Sequence, residues 1–384
     1  MKVLYFDNQL DLDVDLHDVA QNLNMDFKFY GLGKGLYKSF SWRPMKTIGE
    51  TLRIDTDEDQ YYHLKRLIEK DKPDLIWVRS LTVNHEIVYD LADKNGIDVV
   101  FWVTEQGATR DAIFELAKNY KKLIVNNLDD IVYYKKHCDS ELYFLPFCIN
   151  EHFYRKYPPK KDFRADVVSY GNPIYNDQSY TAEKMINMNK KLSVDWMLMG
   201  ALKTGLSIKV WGHRGGIVSD KGWLQVPYLN NKVNAVVDKL TDLNFPTAQF
   251  LKRVYFSSKL GEWKSFYQGV FAWEELPVIN SSCKFFANID HNFQHFRTYS
   301  PKLTRAMASG AVVIHMPTPG IEEDFEDMGE LIVINSLDEC IEKLEFVNKH
   351  PEKMTEMSNN AMAKVRKEWN YDEKLPKLLH ELGH

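Results

Sequence analysis

The chain has 384 residues, 44% of them hydrophobic and 27% charged, with a formal net charge of −5. That length suits two domains with ample core, and the mild acidity gives no global pull toward nucleic acid or an anionic membrane. No apolar run is long enough to span a bilayer and nothing ahead of Val3 reads as an export signal, so a cytoplasmic protein without a membrane partner is expected.

In chain order, Val3–Phe6, Asp74–Val78, Val99–Val103, Leu123–Asn126 and Leu142–Phe147 read as strands. Between them Glu58–Lys70, Glu86–Lys94, Arg110–Lys118 and Asp129–His137 carry helical patterns. Strands alternating with helices of this length predict βαβ units and a parallel sheet, which binds ligands beyond the carboxyl ends of its strands. Gly31-Leu32-Gly33-Lys34-Gly35 follows a short strand and suits a flexible acceptor loop, although it lacks dinucleotide-binding spacing. The stretch Glu151–Arg164, with two prolines and a basic run, reads as an interdomain linker. A second α/β series follows: Asp166–Tyr170 (strand), Thr181–Lys203 (helix), Ile208–Trp211, Lys284–Asn288, Ala311–Met316 and Leu331–Ile334 (strands). Helices at Leu337–Asn348, Pro351–Lys367 and Asp372–Leu382 close the chain.

Within the second series, residues 213–264 form an irregular insertion with eight Lys/Arg against four acids. Seven aromatic residues, Trp223 and Trp263 among them, are interleaved with the charges. This composition suits either a helical insertion packed by its aromatics or a surface for a single-stranded or flipped nucleic acid. The four cysteines (Cys138, Cys148, Cys283, Cys340) show no metal-ligand spacing and read as reduced core thiols.

The most informative stretch is Tyr299–Phe325. Ser300 suits a helix N-cap, Pro301 the first helical position and Gly310 the residue just past the end. A short helix opening beside a parallel sheet is an anion site, with the N–H groups of Lys302 and Leu303 and the Lys302 ammonium facing the ligand. Gly171-Asn172, after the first strand of the second series, allows close backbone approach by a ligand. The Gly-rich run Gly212–Gly216 could wrap a phosphate with Arg214. Each also reads as an ordinary turn.

The order of these segments resembles the GT-B glycosyltransferases of group 1, nearest their spore-maturation, CgeB-like branch. The likeness is carried by Tyr267-Gln268-Gly269-Val270, A-M-A-S-G-A-V-V-I (Ala306–Ile314), P-G-I-E-E-D-F (Pro319–Phe325) and E-W-N-Y-D-E-K (Glu368–Lys374). L-P-F-C-I-N-E-H-F-Y (Leu145–Tyr154) and F-W-V-T-E-Q (Phe101–Gln106) extend it into the first half. The resemblance implies two tandem Rossmann-like α/β domains: an acceptor domain over 1–155 and a donor domain over 165–368 carrying the insertion 213–264. It also implies a C-terminal segment, 369–384, whose helix crosses back to the first domain. It implies transfer of a sugar from a nucleotide sugar, with a UDP-sugar as the expected donor, with retention and with neither metal nor cofactor. Gln268, Gly269 and Val270 resemble the loop that reads the nucleobase. Gly320, Ile321 and Glu322 resemble the segment facing the donor sugar, and Glu322 with Glu323 also suits a helix first turn. Glu105, at a strand end, is the candidate base for an acceptor hydroxyl, or a plain surface acid.

One departure stands out. Relatives carry a glutamate where this chain has Arg305, and many carry another at Arg297; in relatives the former holds ribose hydroxyls. A guanidinium only donates hydrogen bonds and pairs best with phosphate or carboxylate. Arg305 lies on the same helix face as Lys302, so a more cationic phosphate pocket is expected. The acceptor stays open between a glycan, a small molecule, a protein and a hydroxymethylated DNA base as in phage systems. A binding module that has lost catalysis is the alternative that the two arginines favour.

Overall fold

A computed structural model describes residues 1–7, 14–33, 49–79, 83–104, 111–171, 193–212, 266, 268, 271, 273–288, 297 and 299–383. Two wholly parallel sheets organise them. The first contains β1 (Lys2–Asp7), β2 (Asp26–Gly33), β3 (Glu50–Arg53), β4 (Leu75–Val78), β5 (Asp98–Val103), β6 (Lys122–Val125) and β7 (Glu141–Phe144), in the order β3-β2-β1-β4-β5-β6-β7. Its crossovers carry α1 (Val14–Asn22), α2 (Asp57–Asp71), α3 (His85–Asn95), α4 (Asp111–Ala117) and α5 (Leu128–His137). The central strands are apolar on both faces, as a sheet covered on two sides requires. Side chains set the helix starts. Thr56 and Asp59 form a reciprocal capping box on α2, while Asn84 and Asn127 cap α3 and α5.

The second sheet contains β8 (Ala165–Gly171), β9 (Ile208–Gly212), β10 (Cys283–Ala287), β11 (Val312–His315) and β12 (Ile332–Val333), in the order β12-β11-β10-β8-β9. Around it lie α6 (Ser193–Lys203), α7 (Leu276–Ser281), α8 (Pro301–Ala308), α9 (Pro319–Asp324), α10 (Leu337–Lys349) and α11 (Pro351–Glu368). The last helix, α12 (Tyr371–Glu381), packs against α1 and β7 of the first domain. There the Lys122 ammonium donates to the Leu382 carbonyl at 3.0 Å. The two segments running between the domains are pinned together. Ile149 N–H donates to Trp369 O at 2.8 Å, and Tyr371 N–H to Ile149 O at 3.1 Å.

Buried apolar side chains of the described residues form separate clusters on the outer face of each sheet and one shared cluster between them. The shared cluster runs from Tyr5, Trp77 and Trp102 through Tyr154 and Trp273 to Phe286, Leu303, Tyr371 and Leu375. All four cysteines are unbridged, and burial pushes the Cys283 and Cys340 thiols up to about 12. Among the described residues no helix is long and apolar enough to cross a membrane.

Helices α1 and α7 and strand β3 were not expected from the sequence, while the short strand expected before Gly31 is β2. Gly31–Gly33, expected in a loop, are strand residues: Gly31 pairs with Asp7 of β1 and with Thr51 of β3. The strand expected to reach Phe147 ends at Phe144, before Pro146, which has no N–H for a ladder. The insertion 213–264 and the first part of the helix expected over Thr181–Lys203 lie outside the described residues.

Candidate active site

In each sheet the chain winds outward in both directions from one pair of neighbouring strands, β1 and β4 in the first, β8 and β10 in the second. The crevice beyond the carboxyl ends of such a pair is where open parallel sheets bind ligands.

At the first pair, β1 ends on Asp7 and β4 is followed by Arg79. Their side chains meet at 2.9 Å, with 3% and 11% of their surface exposed. Arg79 Nε also donates to Thr104 Oγ1 after β5 at 3.4 Å, and its guanidinium lies 5.5 Å from the Trp102 ring centroid. Asn126, following β6, donates to the Thr104 carbonyl at 3.1 Å. This polar row was not picked out from the sequence. Its signal was there: each residue is the first polar one after a run of fully buried strand residues.

At the second pair, β8 closes on Gly171, which pairs with Gly212 of β9. Beyond β10 comes α8. Pro301 opens this helix with Ser300 in the extended N-cap conformation, but the Ser300 hydroxyl makes no capping bond to the helix. Leu303 N–H is given to the Ser300 carbonyl at 3.1 Å, and the Leu303 side chain is fully buried. The expected pair of inviting amides is thereby reduced, since one already has a backbone acceptor. Lys302 is half-buried on the first turn. The helix stops where expected. Gly310 adopts φ +91°, its N–H reaching Met307 O at 2.9 Å while Ala311 N–H reaches Ala306 O at 3.1 Å, the two bonds of a Schellman motif.

β11 ends on His315, which is 1% exposed and whose Nδ1 lies 2.6 Å from the Met316 carbonyl. A carbonyl only accepts, so Nδ1 carries the proton. Thr318 then caps α9, with Gly320 and Ile321 buried and Glu322 exposed. Gln268 lies along edge strand β9: its N–H donates to Val210 O at 2.8 Å, its side chain is exposed, and Nε2 reaches Phe266 O at 3.0 Å. Glu105, Asn172, Arg214, Gly269 and Val270 lie outside the described residues.

The geometry corrects the expectation for the arginines. Arg305 Nη2 and Nε donate to one oxygen of Asp15 on α1, at 2.7 and 3.1 Å. Its guanidinium lies 4.5 Å from the Trp273 centroid and 5.4 Å from that of Tyr154. Burial is the largest influence on the Asp15 carboxyl and pushes its pKa up, against the downward pull of Arg305. Arg297 turns to Asp129 on α5: its N–H and Nε reach the two carboxylate oxygens at 2.7 and 3.0 Å, and Glu323 lies 3.7 Å from Nη1. Arg305, expected to join Lys302 in a more cationic phosphate pocket, instead faces the Asp15 carboxylate of the first domain, and Arg297 likewise faces Asp129.

Residues with metal-ligand chemistry meet elsewhere. Among the described residues, Glu151, His152 and Asp372 bring their ligand atoms within 4.8 Å of one another, on the segments linking the domains rather than at a strand end.

Residues 196–380 match a family model described as Glycosyl transferase-like. No curated protein sequence matches the chain. Among solved structures, HepE from Anabaena in complex with UDP and glucose is similar over 100% of this chain and 99% of its own, with a TM-score of 0.62 and 11% identity. The sucrose-phosphate synthase of Thermosynechococcus elongatus is similar over the same shares, with a TM-score of 0.61 and 11% identity. A glycosyltransferase from Rickettsia africae is similar over 99% of this chain and 97% of its own, with a TM-score of 0.59 and 11% identity. At such identity the likeness is one of fold. The chain thus shares the two-sheet parallel α/β fold of these GT-B glycosyltransferase structures, and residues 196–380, just under half of it, match the glycosyl transferase-like family model.

Proposed function

We propose that the protein transfers a sugar from a nucleoside diphosphate sugar, a UDP-sugar, to an acceptor hydroxyl, with retention and without a metal requirement. The observation that carries this reading is the start of α8 beside the β8–β10 pair, with Lys302 on its first turn, inside a fold shared with HepE, which was solved with UDP and glucose. As the bond from the anomeric carbon to the diphosphate breaks, its electron pair goes to a phosphate oxygen. A helix N-terminus, equivalent to about half a positive charge, and the Lys302 ammonium stabilise that developing charge. The acceptor oxygen forms the new bond and its proton passes to Glu105.

In this reading Gly171, Asn172 and Arg214 border the diphosphate with Ser300, Lys302 and Leu303. Gln268, Gly269 and Val270 meet the nucleobase, and Gly320, Ile321 and Glu322 face the sugar. Arg305 leaves the phosphate set because Asp15 holds it. The placement nearest the CgeB-like branch rests on the motifs of the second half. The acceptor lies against the β1–β4 edge of the first domain. A hydroxymethylated DNA base is favoured among acceptors by the basic, aromatic composition of 213–264.

A thermal-shift panel of UDP-, GDP-, CDP- and dTDP-sugars tests the donor. A shift with a UDP-sugar and its slow hydrolysis are expected. No shift with any nucleotide would overturn the reading, and binding without hydrolysis or transfer would make the protein a binding module. For the DNA acceptor, binding to hydroxymethylated duplex should weaken steeply with salt. Absent or salt-independent binding removes that acceptor.

A further inference from the structure

We propose that Arg305 with Asp15, and Arg297 with Asp129, are positioning residues: a two-point clasp that sets the distance between the donor helix α8 and the first domain. Both aspartates are the second residues of helices, α1 and α5, that begin after the carboxyl ends of β1 and β6. Both arginines belong to the segment that enters or forms α8 after β10. The two pairs therefore join the facing rims of the two sheets, the borders of the crevice in which donor and acceptor must meet.

The pairs differ in strength. Arg305 and Asp15 have 12% and 4% of their side chains exposed, whereas Arg297 and Asp129 have 35% and 33%. The inner pair also reaches the segment linking the domains. Tyr154 lies under the Arg305 guanidinium, and its ring contacts Trp273 at 6.2 Å between centroids. Tyr154 N–H bonds back to Asn150 O at 2.8 Å, one residue past the Ile149–Asn370 bridge. A change in the angle between the domains must therefore break the inner pair or move the linking segment with it. Arg305 follows Lys302 by three residues on the same helix face, so the clasp and the proposed phosphate contact share one rigid turn. Lysine cannot replace arginine here, because it lacks a planar fork able to make both donations while lying over two rings.

This rests on the proposed donor site, but it predicts a different failure from a donor ligand. In Arg305→Ala and Asp15→Asn, UDP affinity by calorimetry should stay within twofold while transfer or donor hydrolysis falls at least tenfold. Arg305→Lys should not rescue. Small-angle scattering, which needs no substrate, should show a larger and more variable radius of gyration for Arg305→Ala than for the wild type. If the inner variants do not fold, Arg297→Ala with Asp129→Asn, on the exposed pair, should still lower the turnover and widen the scattering profile. A tenfold loss of UDP affinity with unchanged turnover of bound donor would overturn the clasp and return Arg305 to the donor site. Unchanged turnover and scattering would overturn it as well. A wild type that binds no nucleotide would sink the proposed function alone, leaving the scattering arm to decide the clasp.

Discussion

The carboxyl edges of the two sheets solve different problems with different chemistry. The first edge is built from side chains that answer one another: Asp7 against Arg79, Arg79 on Thr104, Asn126 on the Thr104 carbonyl. Among the described residues its two charges are matched, which suits an uncharged hydroxyl more than an anion. The second edge is built from backbone and helix ends: paired glycines closing β8 and β9, α8 opening after β10 with Lys302, and α9 capped by Thr318. That edge presents helix N-termini, whose dipoles favour an anion such as phosphate. Damage to the first edge should therefore appear as lost stability, and damage to the second as lost affinity.

The largest effect is expected at the first edge. Arg79→Ala leaves the Asp7 carboxylate buried without its partner and should lower the unfolding free energy by about 3–5 kcal/mol in urea. Replacing both by apolar residues (Asp7→Leu with Arg79→Met) should recover most of it. A loss below about 1 kcal/mol for the single variant would mean that the edge is wetter than its geometry implies. At the other end of α8, on the amino side of the second sheet, Gly310→Ala forces a side chain into φ +91°, with its Cβ 3.3 Å from Lys156 Cδ, and should cost about 1–2 kcal/mol of stability. An unchanged melting temperature would show that the α8 stop does not need glycine. Lys302→Ala should leave stability alone and weaken donor binding at least tenfold, about 1.4 kcal/mol. Equal affinity by calorimetry would remove α8 from the donor site.

The smallest effect concerns the amino-terminal sides of the two sheets, where each domain holds one carboxylate below its ordinary value. Burial opposes ionisation of Asp71, but the hydrogen bond and charge of Lys28 and the hydroxyl of Tyr30 outweigh it. Burial likewise opposes Asp166, and Lys284 at 2.8 Å with Ser207 outweighs it. A carboxyl lowered by folding contributes stability that is complete above its ordinary value of 3.8 and is lost as the pH falls through the lowered one. Asp71→Asn and Asp166→Asn should each flatten the acid limb of a stability–pH curve, and an unaltered limb would show that neither pair differs between folded and unfolded chains.

Much of the frame was legible in the residues. Fully buried parallel strands such as Leu75–Val78 and Val99–Val103 stand out as apolar runs, and the longer helices announce themselves through caps and spacing. Elements whose pattern is weak were missed. The helix Val14–Asn22 is short and carries two aspartates and a histidine, and Glu50–Arg53 is only four residues long. At the site, Gly310, Pro301 and Thr318 act through their neighbours, so local reading sufficed for the shape of the helix ends. Asp7 and Arg79 were passed over because a charge after a strand becomes a site residue only when a neighbouring strand sets its partner beside it, 72 residues away.

The amino-acid sequence by itself determined the alternation of buried strands and capped helices, the parallel class, and the short proline-opened, glycine-closed helix at 301–308, because these follow from contacts within a few residues. It also marked Arg297 and Arg305 as unusual. What those arginines do was decided by the tertiary structure, which brings Asp129 from 168 and Asp15 from 290 residues away to meet them. A guanidinium pairs as readily with phosphate as with carboxylate, so its role depends on which anion the packed domains place within 3 Å.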